Sequence, residues 1–433
     1  MRRWLLTLEL IGSGILTQTV ALVGLLALTV LAVRPRHPWR LLLSFVLGTI
    51  GGYLLARTLE TAGVFEGALP KNAAEWIAAG VGAAAAGVVA ALTRPWWRRA
   101  IAALLVVVAL VMAGLGVNTS YGLTHTLAAI LGIQALDEEP LPALTGAGDG
   151  DPSTLYETWT APADMPTKGR VSALSGDEQI PSTGFTARDA AIYLPPAALV
   201  DDPPSLPVIV FMMGQPGTPD PTSIAAALDA FAAEHDGLAP IAIVADQLGS
   251  INADPACADS TTYGTVSTYF NSDIPEWIRS HLNVVSDTSY WVIGGYSNGG
   301  ACAFTWGAQH PEVWGSLMDI SGNEYPGSEH EQQTIDTVFD GDADAFEAAK
   351  PASWLTVNAG SFDGHVAVFT YGDEDETFGP GQQANAALAQ DAGFTVYSDA
   401  IPGAGHTGVV LDEGLAFAID ALASHLGLAA PAG

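Results

Sequence analysis

Basic side chains are scarce in this sequence. There are 15 Lys and Arg among 433 residues, against 46 Asp and Glu, for a net charge of −31. Ten of the fifteen fall in residues 1–118, which hold four acids, Glu9, Glu60, Glu66 and Glu75. The rest of the chain has five basic groups against 42 acidic ones. A surface that negative repels phosphate backbones and anionic lipid, so a nucleic-acid role is excluded. It reads as the solvated surface of an exported protein. Cysteine is nearly absent, with Cys257 and Cys302 both on the acidic side. No D-x-D-x-D-G loop or H-x-x-x-H pair occurs, so neither a metal nor a cofactor is expected. No repeat of fixed period is evident.

What the chain has in abundance is apolar sequence near its start. Four spans, about Leu10–Val33, Leu41–Thr61, Ala73–Leu92 and Ile101–Val117, have the roughly 17–25 residues that cross a hydrocarbon core. A cleaved signal peptide accounts for the first and not for the others. Trp4, Trp39, Trp76, Trp96 and Trp97 lie near span ends, where amphipathic rings prefer the interface. Arg34, Arg36 and Arg40 fill the first loop and Arg94, Arg98 and Arg99 the third, while the second has Lys71 with Glu66 and Glu75. The positive-inside rule then places loops one and three in the cytoplasm and both termini outside. Residues 1–118 are expected to anchor the chain in a bacterial cytoplasmic membrane, with membrane lipid as their partner. Residues 119–154 read as an interfacial apolar helix, Gly122–Leu136, followed by a Pro-, Gly- and Asp-rich linker.

From about residue 155 to 428, short strands alternate with helices, the pattern of a mostly parallel sheet covered on both faces. Expected strands include 184–195, Leu206–Met213, Pro240–Asp246, Gly315–Ile320, Val366–Gly372 and Thr395–Ala400. Within this alternation lies Gly295-Tyr-Ser-Asn-Gly299, a G-x-S-x-G string between an apolar strand, Tyr290–Ile293, and a helix, Ala301–His310. On such a turn Ser297 is strained and exposed as a nucleophile, and the helix behind it points free N–H groups at a developing oxyanion. Side chains at 295 or 299 would strike neighbouring backbone.

The partners of a serine nucleophile belong in later loops, in the order acid, then histidine. His406 lies in the loop Pro402-Gly-Ala-Gly-His-Thr407, between a strand and the last helix. The strand ending at Gly372 runs into Asp373-Glu374-Asp375, from which Asp375 is taken as the acid, with Asp373 second and Glu374 third. Oxyanion donors are expected from the Asn298 N–H and from that of Gly214 or Gln215. Cys257 and Cys302 are expected to form one disulfide, worth about 4 kcal/mol by loop entropy. The alternative is two separate thiols, with Cys302 buried.

Four segments carry a family resemblance: Phe211-Met-Met-Gly-Gln-Pro-Gly217, Asp254-Pro-Ala-Cys-Ala-Asp-Ser260, Gly294-Gly-Tyr-Ser-Asn-Gly-Gly300 and Gly403-Ala-Gly-His-Thr407. The domain resembles the α/β-hydrolase superfamily, and within it the esterase D and mycolyltransferase-like branch found in actinobacteria. The resemblance implies an α/β-hydrolase fold and acyl-ester chemistry through a Ser-acid-His triad, on a small acyl ester or an envelope glycolipid. Met213 stands where many members have His, Asn298 where the mycolyltransferases have Met, and Asp375 where they have Glu. The last two departures count against mycolyl transfer specifically; hydrolysis is the leading reading, and transfer of the acyl group to a sugar hydroxyl is the alternative that the sequence does not separate from it. A catalytically silent binding module and a transporter with an accessory domain are the remaining readings.

Overall fold

A computed structural model describes residues 2–12, 14–32, 38–62, 68–93, 95–144 and 151–431. The loop residues Arg34, Arg36, Arg94 and Glu66, which enter the topology expectation, lie outside these ranges. Two units emerge. One comprises Met1–Leu131 with Asp375–Thr377 and Gly405–Gly408; the other comprises Gly132–Glu374, Phe378–Ala404 and Val409–Gly433.

The first unit is built from four apolar helices: α1 (Ile15–Ala32), α2 (Pro38–Thr61), α3 (Ala73–Thr93) and α4 (Trp96–Tyr121). Over Pro38–Thr61, Ala73–Leu92 and Trp96–Tyr121 they are long and apolar enough to cross a membrane, whereas Ile15–Leu31 is a shorter apolar helix. The first expected span is thus cut short. Glu9 pairs with Thr126 in an isolated β-bridge, Leu10 N–H donates to His125 O, and helix begins only at Ile15.

Small residues let these helices approach closely, as packing between apolar helices requires. A Cβ on Gly48 or Gly52 of α2 would fall 2.8 Å from Ala85 or Val81 of α3. One on Gly80 would fall 2.4 Å from Ala113 of α4, and one on Gly116 would enter the Trp76 ring. Ala27, Leu31, Ala90, Ala102 and Leu105 form a buried cluster across α1, α3 and α4. Of the charges near span ends, Arg57 pairs with Glu60 at 2.7 Å, and Glu60 also accepts from Leu69 N–H.

The second unit is organised on one sheet: β1 (Arg170–Leu174), β2 (Ala190–Leu194), β3 (Val208–Met212), β4 (Ile241–Val244), β5 (Trp291–Tyr296), β6 (Ser316–Ile320), β7 (Val366–Gly372) and β8 (Thr395–Ile401). Its strand order is β1-β2-β4-β3-β5-β6-β7-β8. The β1–β2 and β2–β4 pairings are antiparallel and the others parallel. This is the α/β-hydrolase fold. Strands β3 to β6 are buried along their whole length, which is why β3, β4 and β5 read as continuous apolar runs. Strand β8 closes one edge and keeps exposed positions such as Tyr397.

Helices α5 (Thr222–Glu234), α6 (Ile274–His281), α7 (Asn298–Gln309), α8 (Glu331–Val338), α9 (Ala343–Ala349), α10 (Pro351–Val357), α11 (Gly379–Ala392) and α12 (Gly408–Ala423) accompany the sheet. Helix α7 is buried at eleven of its twelve positions and is made mostly of small and aromatic residues. Phe304 meets Phe369 of β7 edge to face at 5.2 Å, and Trp306 stacks on Phe270 at 4.6 Å. Rings buried this fully contribute about 1.5–3 kcal/mol each.

Three local differences from the sequence expectation have clear causes. Only Leu127–Leu131 of the expected interfacial helix is helical, and Gly132 follows at a positive φ of 67°. The linker start lies along β1, where Asp137 O accepts from Ala173 N–H and Glu138 bridges Ala173. The strand expected at 184–195 is regular only from Ala190, because Arg188 N–H and its guanidinium are held by the Asp246 carboxylate.

Candidate active site

Ser297 stands between β5 and α7 with φ 56° and ψ −123°, in the region L-residues avoid. Such a conformation costs about 1–3 kcal/mol and persists only where its surroundings hold it. Here Ser297 N–H donates to Ile320 O at 2.9 Å, and Ser297 O accepts from Ala301 N–H at 3.1 Å. The flanking glycines are required by close approach: a Cβ at Gly295 would lie 2.2 Å from the Gly299 carbonyl carbon, and one at Gly299 would lie 2.5 Å from Met212 O. Asn298 opens α7, so its N–H is among the first-turn donors that helix geometry leaves available.

The loop leaving β3 runs beside the nucleophile. A Cβ on Gly214 would sit 3.1 Å from Ser297 Cβ and 3.6 Å from its Oγ. The side-chain amide of Gln215 donates to Asn252 O at 3.2 Å. Cys257 and Cys302 are joined by a disulfide, which ties the segment around Asp254 to α7. Trp306 Nε1 donates to Cys257 O at 2.9 Å across the same junction.

Of the three consecutive acids, Asp375 is buried and hydrogen-bonded to His406, with Oδ2 3.3 Å from Nδ1. Its Oδ1 accepts from Thr377 N–H at 3.1 Å. Asp373 is exposed and accepts from Gly403 N–H at 2.6 Å, and Glu374, also exposed, donates its own N–H to Ala404 O. These two residues thus brace the backbone of the loop that carries His406.

Sequence reasoning passed over two buried polar groups at this end of the sheet. Gln247, just past β4, donates through Nε2 to Met213 O at 2.6 Å and to Asn298 Oδ1 at 3.1 Å. Asp319 of β6 is fully buried, with Oδ1 accepting from Gly322 N–H at 3.0 Å. Burial pushes its carboxyl up to about 7, against the lowering effects of the neighbouring Gln382 side chain and the Gly322 N–H. A carboxyl inside the apolar strand Ser-Leu-Met-Asp-Ile is a signal that the sequence did carry.

Comparison with known proteins adds four findings. A family model described as "Putative esterase" matches residues 186–406. An uncharacterized protein of Corynebacterium glutamicum is 32% identical over 435 residues, covering 97% of this chain and 96% of its own length. Among solved structures, an S-formylglutathione hydrolase from Agrobacterium tumefaciens is 19% identical, covering 61% of this chain and 96% of that one, with a TM-score of 0.47. A ferulic acid esterase from Anaeromyces mucronatus is 13% identical, covering 63% of this chain and 96% of that one, with a TM-score of 0.43. Both scores lie below 0.5, so neither likeness speaks to the activity of this chain.

Proposed function

The chain belongs to the Esterase family, and from that premise we propose that it is a serine hydrolase of carboxylic esters, tethered to a membrane by its N-terminal helices. The observation that carries this reading is the backbone of Ser297, held at positive φ between β5 and α7 in a G-x-S-x-G turn.

In this mechanism Ser297 Oγ attacks the ester carbonyl carbon while His406 takes its proton at Nε2. Nδ1–H of His406 donates to Asp375, which selects the tautomer that leaves Nε2 free to accept and stabilises the imidazolium that forms. The oxyanion is received by the Asn298 N–H and by an N–H of the loop at Gly214. Collapse of the tetrahedral intermediate expels the alcohol, protonated by His406, and leaves Ser297 acylated. Water, deprotonated by His406, then attacks the acyl carbon and releases the acid. The steps use only protein groups and water. Asn298 after the nucleophile and Asp375 as the acid count against mycolyl transfer specifically.

The proposed division is a membrane anchor over 1–118, a connecting segment over 119–154 and a catalytic domain over 155–428. The substrate, an acyl ester or envelope glycolipid, is then met outside the cytoplasmic membrane. Hydrolysis of an aryl acyl ester by the full chain in detergent tests the proposal. Turnover is expected in the wild type and should be lost in a folded Ser297→Ala; equal turnover in both would overturn it.

A further inference from the structure

Gln247 is buried, 3% exposed, at the same end of the sheet as the elbow. Both N–H bonds of its amide are engaged, one by Met213 O at 2.6 Å and one by Asn298 Oδ1 at 3.1 Å. Asn298 Nδ2 donates onward to Asp254 Oδ1 at 3.1 Å, an oxygen that also accepts from Ala256 N–H at 2.9 Å. The two ends of this chain of bonds, a peptide carbonyl and a carboxylate, only accept. That fixes both amide heads in one orientation, because turning either would set oxygen against oxygen.

We infer that Gln247 is a positioning residue for the oxyanion hole, a strut whose single amide nitrogen holds the loop after β3 and the first residue of α7 at a set separation. The inference rests on the proposed Ser297 chemistry. In a trans peptide the C=O and N–H point in opposite directions, so holding the Met213 carbonyl also orients the Gly214 N–H of the same plane. The Gln215 N–H belongs to the next peptide plane, which Gln247 does not hold. Of the two candidate donors, Gly214 is the one whose N–H this bond orients, and a Cβ built on Gly214 would sit 3.1 Å from Ser297 Cβ. On the other arm the Asn298 side chain is gripped from two sides, which fixes the residue whose backbone N–H is the first donor. The value of such donors lies in their being in place before charge develops. Partners that orient metal ligands from behind are worth on the order of 10- to 100-fold in activity, and a strut behind the oxyanion donors is expected to act on the same scale.

The test uses the full chain in detergent and the variant Gln247→Met, which keeps the side chain's length and removes its donors. Three readouts are taken: kcat and KM on an aryl ester, inhibition by an aryl trifluoromethyl ketone whose serine adduct carries an oxyanion, and inhibition by an unreactive ether of the same shape. The expected result is a kcat lowered ~10- to 100-fold with KM nearly unchanged. Affinity for the ketone should fall in parallel with kcat, and affinity for the ether should not. A merely structural residue would not produce that split. A folded Gln247→Met with normal kcat, or with equal losses toward ketone and ether, overturns the inference. If Gln247→Met does not fold, Asp254→Ala carries the test: a smaller loss with the same split supports the strut, and an unchanged ketone affinity overturns it. A wild type that neither hydrolyses the ester nor depends on Ser297 fails the proposed function first. An active, Ser297-dependent wild type beside an unperturbed Gln247→Met fails this inference alone.

Discussion

Replacing Asp319 with Asn should make the protein more stable, and increasingly so as pH rises. In the wild type Asp319 Oδ2 and Gln382 Oε1 are two buried oxygens without a donor. Gln382 Nε2 meanwhile donates to Gly322 O at 2.9 Å, and Gly322 N–H donates to Asp319 Oδ1 at 3.0 Å. Burial keeps this carboxyl protonated up to about pH 7. Unfolded, the same carboxyl ionises near its ordinary value of 3.8. Below that value both states are protonated and no penalty exists. Between 3.8 and about 7 the unfolded chain loses the proton while the folded chain keeps it, so stability falls as pH rises through that window. At ~1.36 kcal/mol per pH unit, the upper bound is about 4 kcal/mol at pH 8 and between about 1 and 2 kcal/mol at pH 5. Asn never ionises, and its Oδ1 still accepts from Gly322 N–H. Thermal unfolding of the detergent-solubilised full chain should therefore show Asp319→Asn ahead of wild type by several degrees at pH 8 and by less at pH 5. A Tm difference that does not change with pH, or a variant that loses ground as pH rises, would refute the reasoning.

The remaining predictions concern the acids, the disulfide and the anchor. Asp375→Asn should lower kcat on an activated ester by about 10⁴-fold, since a neutral amide neither stabilises the imidazolium nor enforces its tautomer. Asp373→Asn, which keeps an oxygen for Gly403 N–H, should leave kcat close to wild type; the reverse ranking in two folded variants would show the wrong carboxylate was chosen. Removing the disulfide as Cys257→Ser with Cys302→Ser should cost up to about 4 kcal/mol by loop entropy, read as a lowered Tm in non-reducing buffer. Tags at both termini should be accessible from outside spheroplasts and a probe at Arg98 should not, an outcome that an externally labelled Arg98 would contradict.

Much of the second unit was legible because its strands are buried on both faces. Val208–Met212 and Trp291–Tyr296 have no polar side to disguise the run, and the Gly-rich turn after the second marks the elbow. Strand β1 was not legible: Arg-Val-Ser-Ala-Leu has little apolar pattern of its own and is held as strand by antiparallel pairing with β2. Helices α8 and α9 are hard to read from sequence because they carry charged residues and bury few positions, Thr334, Val338 and Phe346, and α10 because it is only seven residues long and buries Pro351 and Leu355. In the acid loop, chain order could narrow the choice to three neighbours. What separates them is non-local: Asp375 turns inward to His406, and Asp373 turns to the Gly403 backbone. Gln247 escaped notice for the same reason, since its partners are 34 and 51 residues away. In the first unit, composition located the apolar helices, but not the late start of the first, which results from pairing between Glu9 and Thr126.

The central claim is that Ser297 is an activated nucleophile, and covalent modification tests it most directly. Full-length protein in membranes would be treated with a fluorophosphonate and digested, and the adduct located by mass spectrometry. One modified serine is expected, at Ser297, with labelling lost in a folded Ser297→Ala and in protein inactivated at His406. Labelling that survives in Ser297→Ala, or an adduct carried by another residue, would contradict it.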